Sequence, residues 1–444
     1  MTPTEVVIIG GGFGGLEVCK GLRRASKRGL VRLTLIDKEN FFQFNPLLPE
    51  VATGAVETRH IVYPLRAFCA PRGIRFLRNK VRAVDADARR LTLHNGLTVD
   101  YDHLVIAAGA STNYFGIPGA EAHALPFKTL MDAVRLRAQV VEMWELADQA
   151  TDEAVRRQLL TFVVAGGGIT GVEVCASLME MFHRTMARLY PNVPLSLVSV
   201  YIVEAGARLL GGLREEHAAV AERHLRTLGV NVVLHRKVAR VEAERVTLDD
   251  GTSLAAHTMV WTTGVRGPVL ESPWPWALGR GGRLKVDGHG RATLGEAAAV
   301  GAWAVGDAAD WADDNGVAVP QVAQGAFQTG QTVARNIVAT VEGRAPRTLR
   351  YFDYGYIVGL GRHSTVARPL GIPVSGALAW YFWAFYYLFA MVGIRKQLEV
   401  AADVVKGLFV LHDTSQIHDR KRMLREVDLD PTLGAADRSR ATPR

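Results

Sequence analysis

The chain has 444 residues, 48% of them hydrophobic, with 52 Lys and Arg against 44 Asp and Glu, for a net charge of +8. That length suits two or three domains and that apolar content fills full cores, so a disordered or fibrous chain is excluded. No zinc-finger spacing and no basic cluster interleaved with aromatics accompanies the charge, which argues against nucleic acid and leaves an anionic membrane surface or acidic substrates. Cys19, Cys69 and Cys175 form no pairing pattern and fit a reducing compartment. A strand is expected by Val6, leaving no room for a secretory leader.

The β-favouring run Val6 to Ile9 ends in glycines. Gly10, Gly12 and Gly15 fit G-x-G-x-x-G, and a helix-like run to Arg24 follows. Gly10 permits the tight turn, Gly12 lets the backbone approach a pyrophosphate, and Gly15 lets the helix lie close to the strand. The N–H groups at the helix start then hold phosphate. A second strand, Val31 to Ile36, ends in Asp37, whose carboxylate accepts from an adenosine ribose. Phe13, Gly14 and Lys38 fall in the same stretches and join the candidate cofactor contacts.

Asn40 to Arg59 reads as an unusually apolar loop, either packed core or the wall of a hydrophobic pocket; it carries Thr53. Val81 to Ala86 and Arg90 to His94 alternate as a hairpin. Tyr101 to Gly109 is a buried strand ending at Ala108 and Gly109. Pro118-Gly119 marks a crossover, and Lys128 to Gln149 an amphipathic packing helix.

The glycine stretch then repeats. Gly10 to Leu22 returns as Gly166 to Leu178, preceded by the strand Thr161 to Ala165 and followed by the strand Ser199 to Val203 with Glu204 at its end. The chain therefore holds two nucleotide-binding βαβ units. The second acid lies further from its glycines than in the first, which calls for a long helix to about Leu189 and a loop with Pro191 and Pro194. Gly166, Gly168, Ile169, Thr170, Gly171, Glu173 and Glu204 are the candidate contacts of this unit. His257 to Gly264 matches the strand ending at Gly109 and adds Gly264.

Ala302 to Asp310 is a short strand ending in Gly306-Asp307; Asp307 either accepts from a ribityl hydroxyl or caps a turn. A helix starts after Pro320 and carries Ala323, Gln324 and Gln328. The two glutamines share one face, lining a ligand or facing solvent. No charged residue occurs from Val374 to Ile394, a stretch with eight aromatic positions from Trp380 to Phe389 broken only by Ala384 and Leu388. With the amphipathic run Gln397 to Leu411 it reads as a helix pair lying on a membrane. A single span and a buried dimer or core helix are the alternatives. The charged tail from Asp419 is expected to be disordered.

With both glycine loops, Gly306-Asp307 and Ala323-Gln324 with Gln328 in view, the chain resembles the type II NADH dehydrogenases, non-proton-pumping NADH:quinone oxidoreductases of the two-dinucleotide-binding flavoprotein superfamily. Phe44-Asn45-Pro46-Leu47-Leu48, Val51 to Gly54, Gly166 to Glu173, Pro320 to Gly330 and Tyr354 to Arg362 carry the resemblance over about residues 5 to 415. It implies an α/β fold of two Rossmann-like, glutathione-reductase-like domains plus C-terminal membrane-associated helices. The expected domains are an FAD domain in two parts, 1–118 and 291–345, an NADH domain, 119–290, a membrane-anchoring region, 346–415, and a tail, 416–444.

The resemblance also implies FAD on the first unit and NADH as the substrate on the second. Electrons pass to a membrane quinone, ubiquinone or menaquinone, at the cytoplasmic face of the cell membrane, from a peripheral homodimer. Glu173 assists proton transfer, and Gln324 and Gln328 hydrogen-bond the quinone or flavin edge. The chain departs from the family pattern at Asn45, Pro49 and Thr329, all near the expected quinone pocket. Three rivals share features: a dithiol reductase, a reductase of a soluble electron carrier, and a non-enzymatic NAD-sensing membrane protein. The first needs two cysteines beside the flavin, the second does not need the aromatic segment, and the third does not need both loops intact together with Asp307.

Overall fold

The computed structural model describes residues 2–268, 276–362, 364–407 and 410–415. The chain divides into two compact units, one of Met1–Gln43, Val62–Asn113 and Val265–Tyr354, the other of Phe44–Ile61, Tyr114–Gly264 and Gly355–Arg444. It thus passes between units at 113/114 and 264/265, where the expected boundaries lay at 118/119 and 290/291. An antiparallel pairing of Ser111–Thr112 with Val265–Arg266 ties the chain from residue 265 onward to the first unit. The segments 44–61 and 355–415 group with the second unit.

The first unit is built on a six-stranded sheet in the order Arg291–Leu294, Ala297–Ala304, His103–Ile106, Thr4–Ile9, Val31–Asp37, Arg75–Arg78. Its centre is parallel: Val6 pairs with His103 on one side and Leu33 on the other. His103–Ile106 is buried throughout, as its unbroken apolar run requires of a strand covered on both faces. The helices Phe13–Lys27 and Ala323–Val341 pack closely; a methyl at Gly21 would meet the Ala334 Cβ at 2.5 Å, and one at Gly330 the Gly14 carbonyl oxygen at 2.8 Å. The expected hairpin is a three-stranded meander, Val81–Asp85, Arg90–Leu93 and Thr98–Asp100.

The second unit repeats this plan. Its five-stranded parallel sheet runs Leu125–Pro126, Thr258–Trp261, Thr161–Ala165, Ser199–Val203, Val230–Val233, and Val238–Glu242, Arg245–Leu248 and Ser253–Ala255 form its meander. The helix Leu130–Gln149 opens with a capping box between Thr129 and Asp132. The long helix after the second loop is present as Ile169–Met181, a π-helical turn Phe182–Met186 and Ala187–Leu189. That excursion accounts for the late arrival of Glu204.

Two expectations need correction. Residues 41–52 are not a loop: they form the strand Phe41–Gln43, a 3-10 turn Asn45–Leu47 and the helix Leu48–Ala52, while residues 53–59 are turns and irregular chain as expected. Pro46 and Pro49 sit in the first turns of the two helical pieces, where proline loses no hydrogen bond, and Leu47, Leu48, Val51 and Ala52 are buried. The aromatic segment yields a helix Gly376–Ala390, and the second C-terminal helix is Ile394–Gly407, beginning before Gln397. Among the described residues no helix is long and apolar enough to cross a membrane, which removes the single-span alternative. Leu408 and the tail expected to be disordered lie outside the described residues.

Candidate functional site: two nucleotide loops and a buried acid cavity

The first glycine loop joins Thr4–Ile9 to the helix Phe13–Lys27. Gly10 has φ +104, and a Cβ there would lie 2.3 Å from the Ala107 carbonyl oxygen; a Cβ at Gly15 would lie 1.9 Å from the Gly10 carbonyl oxygen. Only glycine fits either position. Gly12 is the opposite case, with no protein atom within 4 Å of a would-be Cβ and its outer face open. The second loop repeats both features. Gly166 has φ +104, a Cβ at Gly171 would lie 1.9 Å from the Gly166 carbonyl oxygen, and Gly168 opens onto nothing within 4 Å.

The strand-end acids sit beside their loops. Asp37 Oδ2 accepts the Gly11 N–H at 2.5 Å and Oδ1 the Glu39 N–H at 2.8 Å. Burial holds its pKa above the usual carboxylate value, opposed by those two N–H groups. Glu204 Oε2 accepts the Gly167 N–H at 2.6 Å and Oε1 the Gly206 N–H at 2.6 Å. The same contact thus occurs once in each unit. Lys38 is exposed, Phe13 packs edge-on against Phe42 and Phe327, and Ile169 and Thr170 open the second helix. Ala108 follows the buried strand His103–Ile106 and lies 3.1 Å from a Cβ placed on Gly10, and Gly109 (φ +69) and Gly264 (φ +70) take left-handed backbone beyond the matching strand ends of the two units.

Gly306–Ala308 is a 3-10 turn with Asp307 in its first turn, so the residue lies at a strand end as expected. Thr329 anchors that turn: its hydroxyl accepts the Gly306 N–H at 3.0 Å and donates to the Gly325 carbonyl at 2.7 Å. Gln324 and Gln328 share one face of the helix begun by Ala323, and both grip the neighbouring chain. Gln324 donates to Asp353 Oδ1 and accepts from the Tyr354 N–H; Gln328 donates to the Phe352 carbonyl and accepts from the Phe352 N–H. Thr53 is buried, and its hydroxyl donates to carbonyls of its own short helix.

Glu17 and Glu173 occupy equivalent places in the two repeats but differ physically. Glu17 pairs with Lys20 and accepts from Gln331. Glu173 points into a cavity of about 90 Å³ in the second unit, shared with Glu50, Glu180, Trp383 and Asp403. The Gly359 N–H donates to Glu173 Oε1 at 3.0 Å. Burial pushes the Glu173 carboxyl well above its ordinary pKa, and the nearby Glu50 charge adds to this. Burial, with Glu180 beside it, pushes Glu50 up to about 8. Tyr387 is raised by burial and by both acids. The repeat picked out Glu173; nothing in the apolar run around Glu50 marked that residue.

The family model for pyridine nucleotide-disulphide oxidoreductases matches residues 4–330. The chain belongs to this family. Its cysteines are free and buried, and burial raises the Cys19 and Cys175 thiols and pushes Cys69 up to about 11, which keeps them poor nucleophiles. Within the family it belongs with the type II NADH:quinone oxidoreductases. It is 33% identical to the type II NADH:quinone oxidoreductase NdhA of Mycobacterium tuberculosis, over 89% of this chain and 85% of that one. It is 29% identical to the demethylphylloquinone reductase NdbB of a Synechocystis strain, over 89% and 94%. The fold matches NDH2 of Plasmodium falciparum solved with NADH, with a TM-score of 0.83 at 18% identity over 93% of this chain and 99% of that one.

Proposed function

We propose that the chain is an FAD-dependent NADH:quinone oxidoreductase that moves no protons across the membrane. NADH, a quinone and one proton give NAD and the quinol. The observation that carries this reading is the duplicated contact of a strand-end carboxylate with a glycine-loop N–H, Asp37 with Gly11 and Glu204 with Gly167. Family membership supports FAD on the first loop and NADH on the second.

FAD suits the first unit. Gly12 leaves the approach to the helix N-terminus open, Gly14 and Gly15 keep the helix close, and Asp37 lies beside the loop for a ribose. Asp307, Ala108, Gly109 and the helix starting at Ala323 would hold the remainder. When bound, FAD would supply the two-electron redox chemistry between NADH and the quinone. Gln324 and Gln328 keep the 352–354 segment against their helix, and each amide has a second N–H with which it would contact the quinone.

NADH suits the second unit, on Gly166, Gly168, Gly171 and Glu204. A 2′-phosphate beside the Glu204 carboxylate would be repelled. Arg208 Nη2 donates to the Gly211 and Leu213 carbonyls, which hold it on the chain just after Glu204. Glu173, its carboxyl held well above the ordinary pKa by burial, is the proton donor of the second unit.

The helix Gly376–Ala390 supplies the membrane contact. Tyr381, Phe385 and Phe389 are 60%, 62% and 67% exposed, an apolar face with amphipathic rings suited to the headgroup level. Ile394 and Leu398 extend it, with Arg395 exposed beside them for anionic lipid. A peripheral position on the cytoplasmic face and a homodimer complete the proposal. Purified protein should be yellow, bleach with NADH alone and reoxidise with ubiquinone or menaquinone as well as ferricyanide. A colourless protein, or one that reduces only ferricyanide, overturns it.

A further inference from the structure

We infer that Glu50 reloads Glu173 with the proton that quinone reduction consumes, across the cavity the two carboxyls share. The inference rests on the reading of Glu173 as proton donor and names the group that keeps it charged with a proton.

Hydrogen-bond partners set Glu50 apart from the other acids. Four carboxyls line this cavity. Glu180 accepts from Arg184 Nη1 at 3.1 Å and from the Arg362 N–H at 2.8 Å. Asp403 accepts from His60 Nδ1 at 2.5 Å and from the Glu57 N–H at 3.0 Å. Glu173 has one backbone N–H, from Gly359. Glu50 Oε2 is buried without any hydrogen-bond partner. A carboxylate stripped of water and left unpaired is costly, so the neutral acid is the resting form of Glu50.

A purely structural residue at this position would be served better by an amide or an apolar side chain of the same size. What Glu50 has that those lack is a proton to give: Oε2 has no partner, and the residue's own backbone N–H at the carboxyl favours the ionised form that release leaves behind. The cavity, about 90 Å³ and lined by acids, has room for a few waters to bridge the two carboxyls. Its remaining charged or titratable groups are Arg184, Arg362 and His412; His412 is held below its ordinary pKa by burial. Tyr387, raised by both acids, stays neutral and does not compete for the transfer.

The step balances. Glu173 gives its proton to the acceptor and is left as a carboxylate. The Glu50 O–H bond breaks, a Glu173 O–H bond forms, and the negative charge moves to Glu50. Glu50 then takes a proton from solvent water. No electrons move in this step, and the sum is the single proton of the overall reaction. The value of about 8 for Glu50 leaves it largely protonated at pH 7 and predicts an alkaline limit to turnover near that value.

The test uses the flavin-loaded enzyme and the variants Glu50→Gln, Glu50→Asp and Glu173→Gln. Flavin absorbance and melting temperature verify folding in each. The kcat profile with quinone is recorded against pH, with ferricyanide as the acceptor that takes no proton. Infrared difference spectra follow the protonated carboxyl band through the same range. Glu50→Gln is expected to lower the ratio of quinone to ferricyanide turnover about tenfold at pH 7, abolish the limb near pH 8 and remove a carboxyl band titrating there. Glu50→Asp restores a limb. A Glu50→Gln enzyme that keeps both the limb and the band overturns the inference. If Glu173→Gln also leaves quinone turnover intact, the failure lies instead in the assignment of Glu173.

Discussion

Replacing Gly168 by Ala separates cofactor contact from fold more cleanly than any other change in the second loop. Gly168 has φ −73 and ψ −177, extended backbone that alanine adopts, and no protein atom lies within 4 Å of the added methyl. The folded protein therefore loses nothing, and fewer unfolded conformers favour folding by about 0.4–1 kcal/mol. A phosphate seated on the helix N-terminus does meet the methyl and is pushed off its N–H groups. Losing one charge-assisted hydrogen bond of about 1.5–3 kcal/mol raises KM for NADH roughly ten- to 150-fold. Gly12, with φ −78 and ψ −167 and the same open surroundings, is the matching position for FAD. Gly12→Ala should yield folded protein with depleted flavin that melts like the flavin-free wild type. Gly171→Ala is the contrast: its methyl falls 1.9 Å from a backbone oxygen and costs about 1–3 kcal/mol of stability. Steady-state kinetics, flavin absorbance and thermal melts read all three. An unchanged KM for NADH in Gly168→Ala, or full flavin with weakened NADH in Gly12→Ala, refutes the division of labour between the loops.

Glu204→Ala removes the carboxylate and leaves two loop N–H groups without their acceptor. It should narrow the preference for NADH over NADPH, and an unchanged ratio of the two kcat/KM values argues against a ribose contact. Tyr381, Phe385 and Phe389 together changed to Ser should release the protein from anionic liposomes in flotation assays, since burying each ring is worth up to about 1.5–3 kcal/mol; retained flotation refutes the membrane face. Glu50 also couples stability to pH. Its folded pKa of about 8 lies above the ordinary carboxylate value of 4.5, so between those values the native state holds a proton that the unfolded state has lost. Stability from this group is full below about pH 4.5 and falls as pH rises toward 8, by on the order of a few kcal/mol. Glu50→Gln should melt higher than wild type at pH 8 and equally at pH 4.5, and parallel melting curves at both values count against the buried neutral acid.

The two glycine loops were legible because their chemistry is local: strand, turn, helix and strand-end acid follow one another, and the repeat doubles the signal. Even the delayed Glu204 arrived at its loop, since only the strand end matters to the contact. The departure at Thr329 has a physical reason, because its hydroxyl fastens the helix to the Gly306 turn. The shared face of Gln324 and Gln328 was readable from spacing, but not that both amides clasp the chain at 352–354. The strand and short helices of residues 41–52 are not legible in sequence because prolines and apolar residues crowd pieces too short to show a period.

The sequence by itself determined that two dinucleotide sheets exist, where each glycine and acid lies, and that an uncharged aromatic helix follows them. Those features depend on neighbours within one βαβ unit, so linear order encodes them. Only the tertiary structure decided that Glu17 and Glu173, alike in sequence, end in different settings, one ion-paired with Lys20 and the other lining an acid cavity. It also decided that Glu50, more than a hundred positions earlier, shares that cavity. Burial and the lack of a partner are set by segments that meet only when the chain is folded, and these turn an ordinary carboxylate into an acid that keeps its proton at neutral pH.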